Sequence, residues 1–363
     1  MIIPVERAHL QGIADLTLVC GFPERSAKGW EWALFDYPEQ GVDPAGYVDL
    51  RDGKVCAFLG TQKRILRRNG GSVSMLAGHT MITDLKAPSI GLKMMRHAIK
   101  HHQTDAISTL NNNALASPLF PRVGMMPWLG KNAQYIAEYR IDWPALVTSS
   151  ILRKTLKHQS REAFDKRREY FTRYKRKLTI PDTLNGLTRL SPETRDHAEQ
   201  IDAFNTAMQS GEQYQSNRSA AIWQYRLRDP DFPASMMLFG SFEKNKLQAM
   251  LALSIAKESK LSPATLEIED VAMLPGAEID FASLLKAAEI FARKSRLARV
   301  RLRYTRGVTE PGLFRQKGWV LRYKNYACCH AQSRNPAFLE NWAVGPMDGD
   351  FFFALRREPI SIA

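Results

Sequence analysis

Only four cysteines occur in 363 residues: Cys20, Cys56, Cys328 and Cys329. None forms a CxxC pair, which argues against zinc-ribbon and dithiol-redox chemistry, and vicinal Cys328 and Cys329 on one strand would point to opposite faces. They read as reduced packing residues in a reducing compartment, with no metal or redox role. Apolar runs long enough to span a bilayer are missing too. The start, MIIPVERAHL, lacks a basic stretch followed by an apolar one, so no secretory signal is expected and a cytoplasmic location is. Acids are scarce beside bases: 37 Asp and Glu against 51 Lys and Arg leave a formal charge of +14. That excess is uneven. Eleven Lys/Arg and three acids between Ile151 and Leu178 put +8 there, so the remainder of the chain carries only +6. A polyanion-binding surface would therefore be confined largely to one segment. What is present is ample aromatic matter, 17 Phe, 11 Tyr and 7 Trp, in a chain longer than single cores usually grow. Two domains are expected.

An internal repeat supports that division. Arg25-Ser26-Ala27 is followed by Trp30, Trp32, Leu34 and Asp36, and Arg218-Ser219-Ala220 by Trp223, Tyr225, Leu227 and Asp229, an offset of 193. Lys54, Ala57 and Leu59 answer Lys246, Ala249 and Leu251 at 192, and Leu119, Phe120 and Gly124 answer Leu313, Phe314 and Gly318 at 194. A fourth pairing, Ile82 and Asp84 with Ile268 and Asp270, fits at 186 if one loop differs in length. Each half reads as strand, two helices, three strands, helix, strand, short helix and closing strands. The Asp52-Gly53 dipeptide between apolar runs predicts a type I′ hairpin, and Leu92, Met95 and Ile99 mark a helix over about Ser89–His102. Trp319–His330 reads as one closing strand. Trp143–Lys177 reads as a single long basic connector helix. The expected division is 1–145, 146–180 and 181–363.

This order resembles the GCN5-related N-acetyltransferase (GNAT) superfamily. The local match is Asn113-x-x-Ala116-x-x-Leu119-Phe120-x-x-x-Gly124-Met125, which is similar to the family's segment on the short helix before the last hairpin. The fold class implied is α/β, a tandem of GNAT-like mixed-sheet units joined by the basic helix. The resemblance implies an acyl-CoA, such as acetyl-CoA, as co-substrate and no metal. Its diphosphate would lie at Lys86-Ala87-Pro88-Ser89-Ile90-Gly91, where backbone N–H groups open a helix. Lys86, Ser89, Ile90, Gly91, Asn113 and Phe120 are the cofactor-binding candidates. The loop departs from the family pattern: Lys stands for Arg, Ser for the first Gly, and Pro88 removes a donor. A plain turn capped by Ser89 is the alternative. In the second half, Glu278 stands where phosphates would lie, so the first half is favoured.

Acyl transfer needs a positioned, deprotonated amine and a donor for the developing oxyanion. The family's tyrosine acid is absent, since Phe120 and Phe314 lack the hydroxyl. Asp84, His79, Asp270 and Glu269 are the candidate bases; a shared structural cap at Asp84 and Asp270, or a satisfied strand histidine, stands beside that reading. Glu267 and Glu269 share a strand face that can meet solvent. Arg299, Arg301 and Arg303 share another, suited to an acidic substrate or to an interface ladder. Asn341-Trp342 with Asp348-Gly349-Asp350 resembles the end of tandem acyltransferases of bacterial surface-polysaccharide or peptidoglycan-precursor synthesis, the alternative being a hairpin turn at Asp348-Gly349. The expected activity is transfer of an acyl group from CoA to an amine of a small molecule or sugar, in cell-envelope or polysaccharide metabolism. Two alternatives stay open: a Fem-like aminoacyl-tRNA-dependent transferase, and an inactive tandem binding module. Transfer RNA is the less favoured partner, because little basic surface is available outside the connector.

Overall fold

The computed structural model describes residues 1–84, 89–129, 134–156, 171, 180–232, 236–303, 318–349 and 356–357. The first half runs β1 (Ile2–Pro4), α1 (Leu10–Val19), α2 (Ala27–Phe35), β2 (Gly46–Arg51), β3 (Lys54–Arg68), β4 (Gly71–Thr83), α3 (Ile90–His101), β5 (Ala106–Thr109), β6 (Met126–Pro127) and β7 (Tyr135–Arg140). Helix α4 (Trp143–Thr155) follows. The second half runs β8 (Thr183–Leu184), β9 (Leu187–Arg189), α5 (Arg195–Gln209), α6 (Ala220–Leu227), β10 (Met236–Glu243), β11 (Lys246–Lys257) and β12 (Thr265–Met273). It continues through α7 (Phe281–Lys294), β13 (Arg299–Arg303), β14 (Val320–Tyr323), β15 (His330–Ser333), α8 (Pro336–Glu340) and β16 (Arg356–Arg357).

Local chemistry sets equivalent features in both halves. Asp52 and Gly53 have φ of 48° and 72°, the two left-handed residues of a type I′ turn, and Lys244 and Asn245, with φ of 48° and 64°, turn the matching hairpin. Ser26 caps α2 by accepting from the Gly29 N–H, and Ser219 is the N-cap residue of α6. Trp30 and Trp223 occupy the same place, the fourth position after their caps, and both are buried. The repeat positions Trp32 and Tyr225 stack on each other at 4.5 Å. The Trp32 indole donates to the Tyr225 carbonyl, and the Tyr225 hydroxyl to the Ala33 carbonyl. Matching residues that meet each other are the mark of a two-fold contact. Arg25 of the first half pairs with Asp229 of the second at 2.9 Å, both side chains buried. These helices and aromatic rings form one core shared by the two halves.

The sheets themselves are interlocked. The first has strand order β1-β2-β3-β4-β5-β15-β6, the second β14-β7-β13-β12-β11-β10-β9-β8 with β16 beside β11. Strand β7, from the first half, lies between β13 and β14 of the second sheet. Strand β15, from the second half, lies between β5 and β6 of the first. The exchange is reciprocal. The expected single strand Trp319–His330 is therefore two strands, β14 and the start of β15, in different sheets. Buried charge fastens β7 in the second sheet: Glu138 of β7 accepts from Arg299 of β13 at 2.8 Å.

Three further expectations are corrected. The connector helix ends at Thr155 instead of continuing to Lys177: the Thr155 hydroxyl bonds back to the carbonyls of Ile151 and Leu152, and Phe171 is not helical. Most of the basic run lies outside the described residues. Asp84 and Asp270 are not equivalent, because Asp84 N–H bonds the Cys56 carbonyl where Leu274 N–H bonds that of Gln248. With Cys56 matching Gln248, the partner of Asp84 is Leu274. Asp348 and Gly349 do not turn a hairpin either; Asp348 ends a short 3₁₀ helix, buried, and accepts from Arg64, Ser216 and the Gly345 N–H.

Candidate functional site

Strands β4 and β5 run parallel and in register for three pairs, Met75 with Ala106, Leu76 with Ile107 and Ala77 with Ser108. Beyond that point β4 continues to Thr83 and β5 stops, so the two part like a wedge. The side chains at the parting are small: a Cβ on Gly78 would press on Thr109 Cγ2 at 3.3 Å. The wedge opens into a cavity of about 400 Å³, within the range of small-ligand and cofactor sites. Its floor is apolar, built from Met95, Ala98 and Ile99 of α3 with Leu119, Phe120 and Met125. Its polar groups are Thr61, His79, Thr80, Asn111, Asn112 and Asn113, joined by Lys324 and Tyr326.

A bulge shapes the inner end. Phe58 pairs with Ile82 and Gly60 with His79, so Leu59 alone faces both Thr80 and Met81. Thr80 sits at φ 49°, a left-handed conformation that costs a β-branched residue on the order of 1–3 kcal/mol. Strain and a bulge together commonly mark a place where a strand re-aims its groups toward a ligand. Gly60 is glycine for a visible reason: a Cβ there would lie 2.3 Å from His79 Cε1. The imidazole, with Nδ1 3.1 Å from Thr80 Oγ1, is thus seated over a bare backbone. Burial first, then the nearby Arg64 and Arg25 charges, push His79 down to about 3. It is neutral at pH 7, a hydrogen-bonding group and a weak base.

That shift has a consequence for stability. In the unfolded chain His79 takes a proton near its ordinary 6.5, whereas in the folded protein it does so only near 3. The unfolded state therefore binds more protons between these values, and stability falls as pH drops through that window. Wild type is expected to lose about 2–3 kcal/mol more than His79→Gln between pH 7 and pH 4.5. Urea unfolding at both pH values measures it, and parallel losses in the two proteins would place the histidine in a wetter setting.

The predicted site residues divide. His79, Asn113 and Phe120 line the cavity. Asn113 Oδ1 accepts from the N–H groups of Leu115 and Ala116, shaping the turn at its rim, and Phe120 stacks on His330 of β15 at 4.9 Å. Ser89, Ile90 and Gly91 open α3 but do not line the cavity. Ser89 is the N-cap residue without a side-chain cap bond, Ile90 is buried, and Gly91 lets α3 approach Thr83 closely. Lys86 lies outside the described residues. Asp84 does not line the cavity. Asp270 is buried in an ion pair with Arg218 at 2.7 Å, away from the cavity lining.

The second half carries buried charge on the sheet face opposite the apolar residues Leu266, Ile268, Val300 and Leu302 that pack with α7. Where β12 and β13 run parallel, Glu267 pairs in register with Arg301, and both are buried. Glu267 and Glu269 do not face solvent as a strand-face reading allows; Glu269 accepts from Ser254 and Glu267 from Arg301. Arg299, Arg301 and Arg303 are an interface ladder against Glu138, Glu258 and Glu267. Burial alone would raise the Glu258 carboxyl, but Arg301, Arg299 and Arg303 hold it well below the usual carboxylate range.

Sequence reasoning missed Lys324 and Tyr326. Both lie on the segment between β14 and β15, and the strand exchange carries them to the first-half cavity. Burial and the neighbouring Cys328 push the Tyr326 phenol up, so it stays protonated at neutral pH.

No family model matches the chain, and no curated protein matches its sequence. Solved structures do match its fold. A GCN5-related N-acetyltransferase from Anabaena variabilis ATCC 29413 aligns with a TM-score of 0.55 at 11% identity, over 92% of this chain and 73% of that one. A conserved protein of unknown function from Enterococcus faecalis V583, described as a probable N-acyltransferase, aligns at 0.53 and 13% identity, over 92% and 72%. At such identities the likeness speaks for architecture alone.

Proposed function

The chain has the fold of the GCN5-related N-acetyltransferases, and on that premise we propose that it is an acyl-CoA-dependent N-acyltransferase whose site is the first-half cavity. The observation that carries this is the wedge between β4 and β5, open where small side chains let the strands part and closed over by polar groups. Its apolar floor suits a pantetheine arm and an acyl group. The loop that would meet the diphosphate, Lys86 included, lies outside the described residues. The bulge at Thr80 and Met81 offers backbone N–H groups beside the wedge for the carbonyl oxygen of the thioester, whose charge grows in the transition state.

The chemistry then follows from these groups. The neutral amine of the acceptor attacks the thioester carbon, forming the C–N bond and placing negative charge on oxygen. Collapse breaks the C–S bond, and the leaving thiolate takes its proton from the Tyr326 phenol; the ammonium nitrogen loses its extra proton to water, from which Tyr326 is reprotonated. His79, neutral and fixed over Gly60, orients polar groups at the inner end and is not the principal base. Asp84 and Asp270 have no part in this scheme.

Filling the cavity tests the reading. Ala116 lines it from a partly exposed position, so Ala116→Trp blocks the space without opening the core. Calorimetry is expected to find acetyl-CoA bound by wild type and its affinity reduced by about tenfold or more in the variant, a cost of 1.4 kcal/mol per tenfold. Equal affinity, with unchanged melting of the variant, would move the site elsewhere.

A further inference from the structure

Among the described residues that line the cavity, Lys324 is the one with a permanent charge. It arrives from the second half, on the segment between β14 and β15 that the pairing of β15 with β5 brings to the first-half cavity. Its neighbours are uncharged: the ammonium lies 5.6 Å from the centre of the Tyr326 ring and beside the Cys328 thiol. No described carboxylate lies within ion-pair distance of it, although Glu258 acts from further off. Burial, with Arg303 and Arg301 beyond, pulls its ammonium below the ordinary lysine value, partly offset by Cys328 and Glu258. A half-buried cation held in this way gains from an anion entering the cavity. The side chain shares the cavity lining with apolar residues and with the neutral amides Asn111 to Asn113, so an anion in that space meets one cation and no lining carboxylate.

We infer that Lys324 reads a carboxylate on the acceptor, and that the substrate is an amino acid or a small amine that carries a carboxylate. This rests on the acyltransferase reading of the same cavity. β4, β5 and α3, all from the first half, line the wedge where we place the donor, and Lys324 comes from a different segment, which we assign to the acceptor. A simple alkylamine reaches that segment as an ammonium ion and is repelled by Lys324. A zwitterion brings its own counter-charge: its carboxylate meets the lysine while its amine, once deprotonated, turns to the thioester. An amide in place of the carboxylate leaves the lysine unpaired in a partly dehydrated site, the situation in which polar recognition discriminates most strongly.

The test uses the full chain, acetyl-CoA, the standard amino acids, their amides and simple alkylamines, with release of the CoA thiol as the readout. At least one amino acid is expected to show a kcat/KM about tenfold or more above its own amide. Lys324→Met, which keeps the aliphatic stem beside Tyr326, is expected to raise KM for that amino acid by about tenfold or more, erase the preference and leave acetyl-CoA affinity unchanged. Lys324→Arg retains the preference. The inference is overturned if amides and amino acids react alike or if no amino acid is acetylated. It is equally overturned if Lys324→Met weakens acetyl-CoA itself, which would assign the lysine to a CoA phosphate. A wild-type chain that fails to bind acetyl-CoA at all removes the acyltransferase reading and this one with it, a result distinct from each of those.

Discussion

Arg301→Met is expected to cost the fold about 3–5 kcal/mol at pH 7, the range for breaking a buried ion pair by removing one partner. The side chain is fully buried and holds two carboxylates, Glu258 and Glu267. Without Arg301, Glu258 keeps only its contacts with Arg299, Arg153 and Arg303, at 3.2, 3.7 and 4.0 Å, and Glu267 only that with Arg303, at 3.9 Å. The pH dependence identifies the cause. In wild type Glu258 is held well below the ordinary carboxylate value, so it contributes stability above the unfolded pKa and loses it as pH falls. Without Arg301 the burial that favours the neutral acid is less opposed, and Glu258 takes up a proton more readily. The gap between variant and wild type should therefore narrow as pH drops from 7 toward 4.5. Chemical denaturation of both proteins at the two pH values measures it. A loss that is small, or that does not change with pH, would mean that the ladder is wetter than its burial indicates.

Tyr326→Phe is expected to lower turnover by about 10²–10⁴, the usual contribution of a positioned proton donor, with little change in acetyl-CoA affinity. The ring remains, so the cavity wall is kept and only the hydroxyl is lost. A purely structural role would slow all thioesters alike. A proton donor to the leaving group matters less when the thiol is already acidic. The acetyl ester of 4-nitrothiophenol, whose thiolate leaves without help, should therefore react at similar rates with variant and wild type, while acetyl-CoA does not. If both thioesters slow equally, Tyr326 shapes the site and does not donate.

Much of the local structure was legible from residue order. The Asp52-Gly53 turn, the Ser-led helices carrying Trp30 and Trp223, and the helix over Leu92, Met95 and Ile99 follow from turn chemistry, capping and periodicity. Asn113 and Phe120 were found through a motif with fixed spacing. What escaped was long-range. A strand's alternation of side chains tells which face is buried but not which neighbour it pairs with, so nothing in Tyr135–Arg140 or His330–Ser333 announces that each belongs to the other half's sheet. Lys324 and Tyr326 escaped for the same reason, since only that pairing carries them to the cavity. The alignment of Asp84 with Asp270 went astray because residues were matched by identity, while the ladder fixes equivalence by hydrogen bonds to Cys56 and Gln248.

The interlocked sheets bear on how the chain is made. Asn112 meets His330 across a sequence separation of 218 residues, and the first sheet gains an interior strand only when that distant segment arrives. As the polypeptide leaves the ribosome, the first half therefore waits with the flank of β5 unpaired until His330–Ser333 has emerged. Contacts of such separation are slow to form, because loop closure must precede any reward for them. An incomplete sheet edge is also a template for a wrong partner, including the same segment of a neighbouring nascent chain. Truncation shortly before His330 should thus yield aggregates and not a working first domain, and ribosome-bound chains of that length are natural clients for a chaperone that covers strand edges.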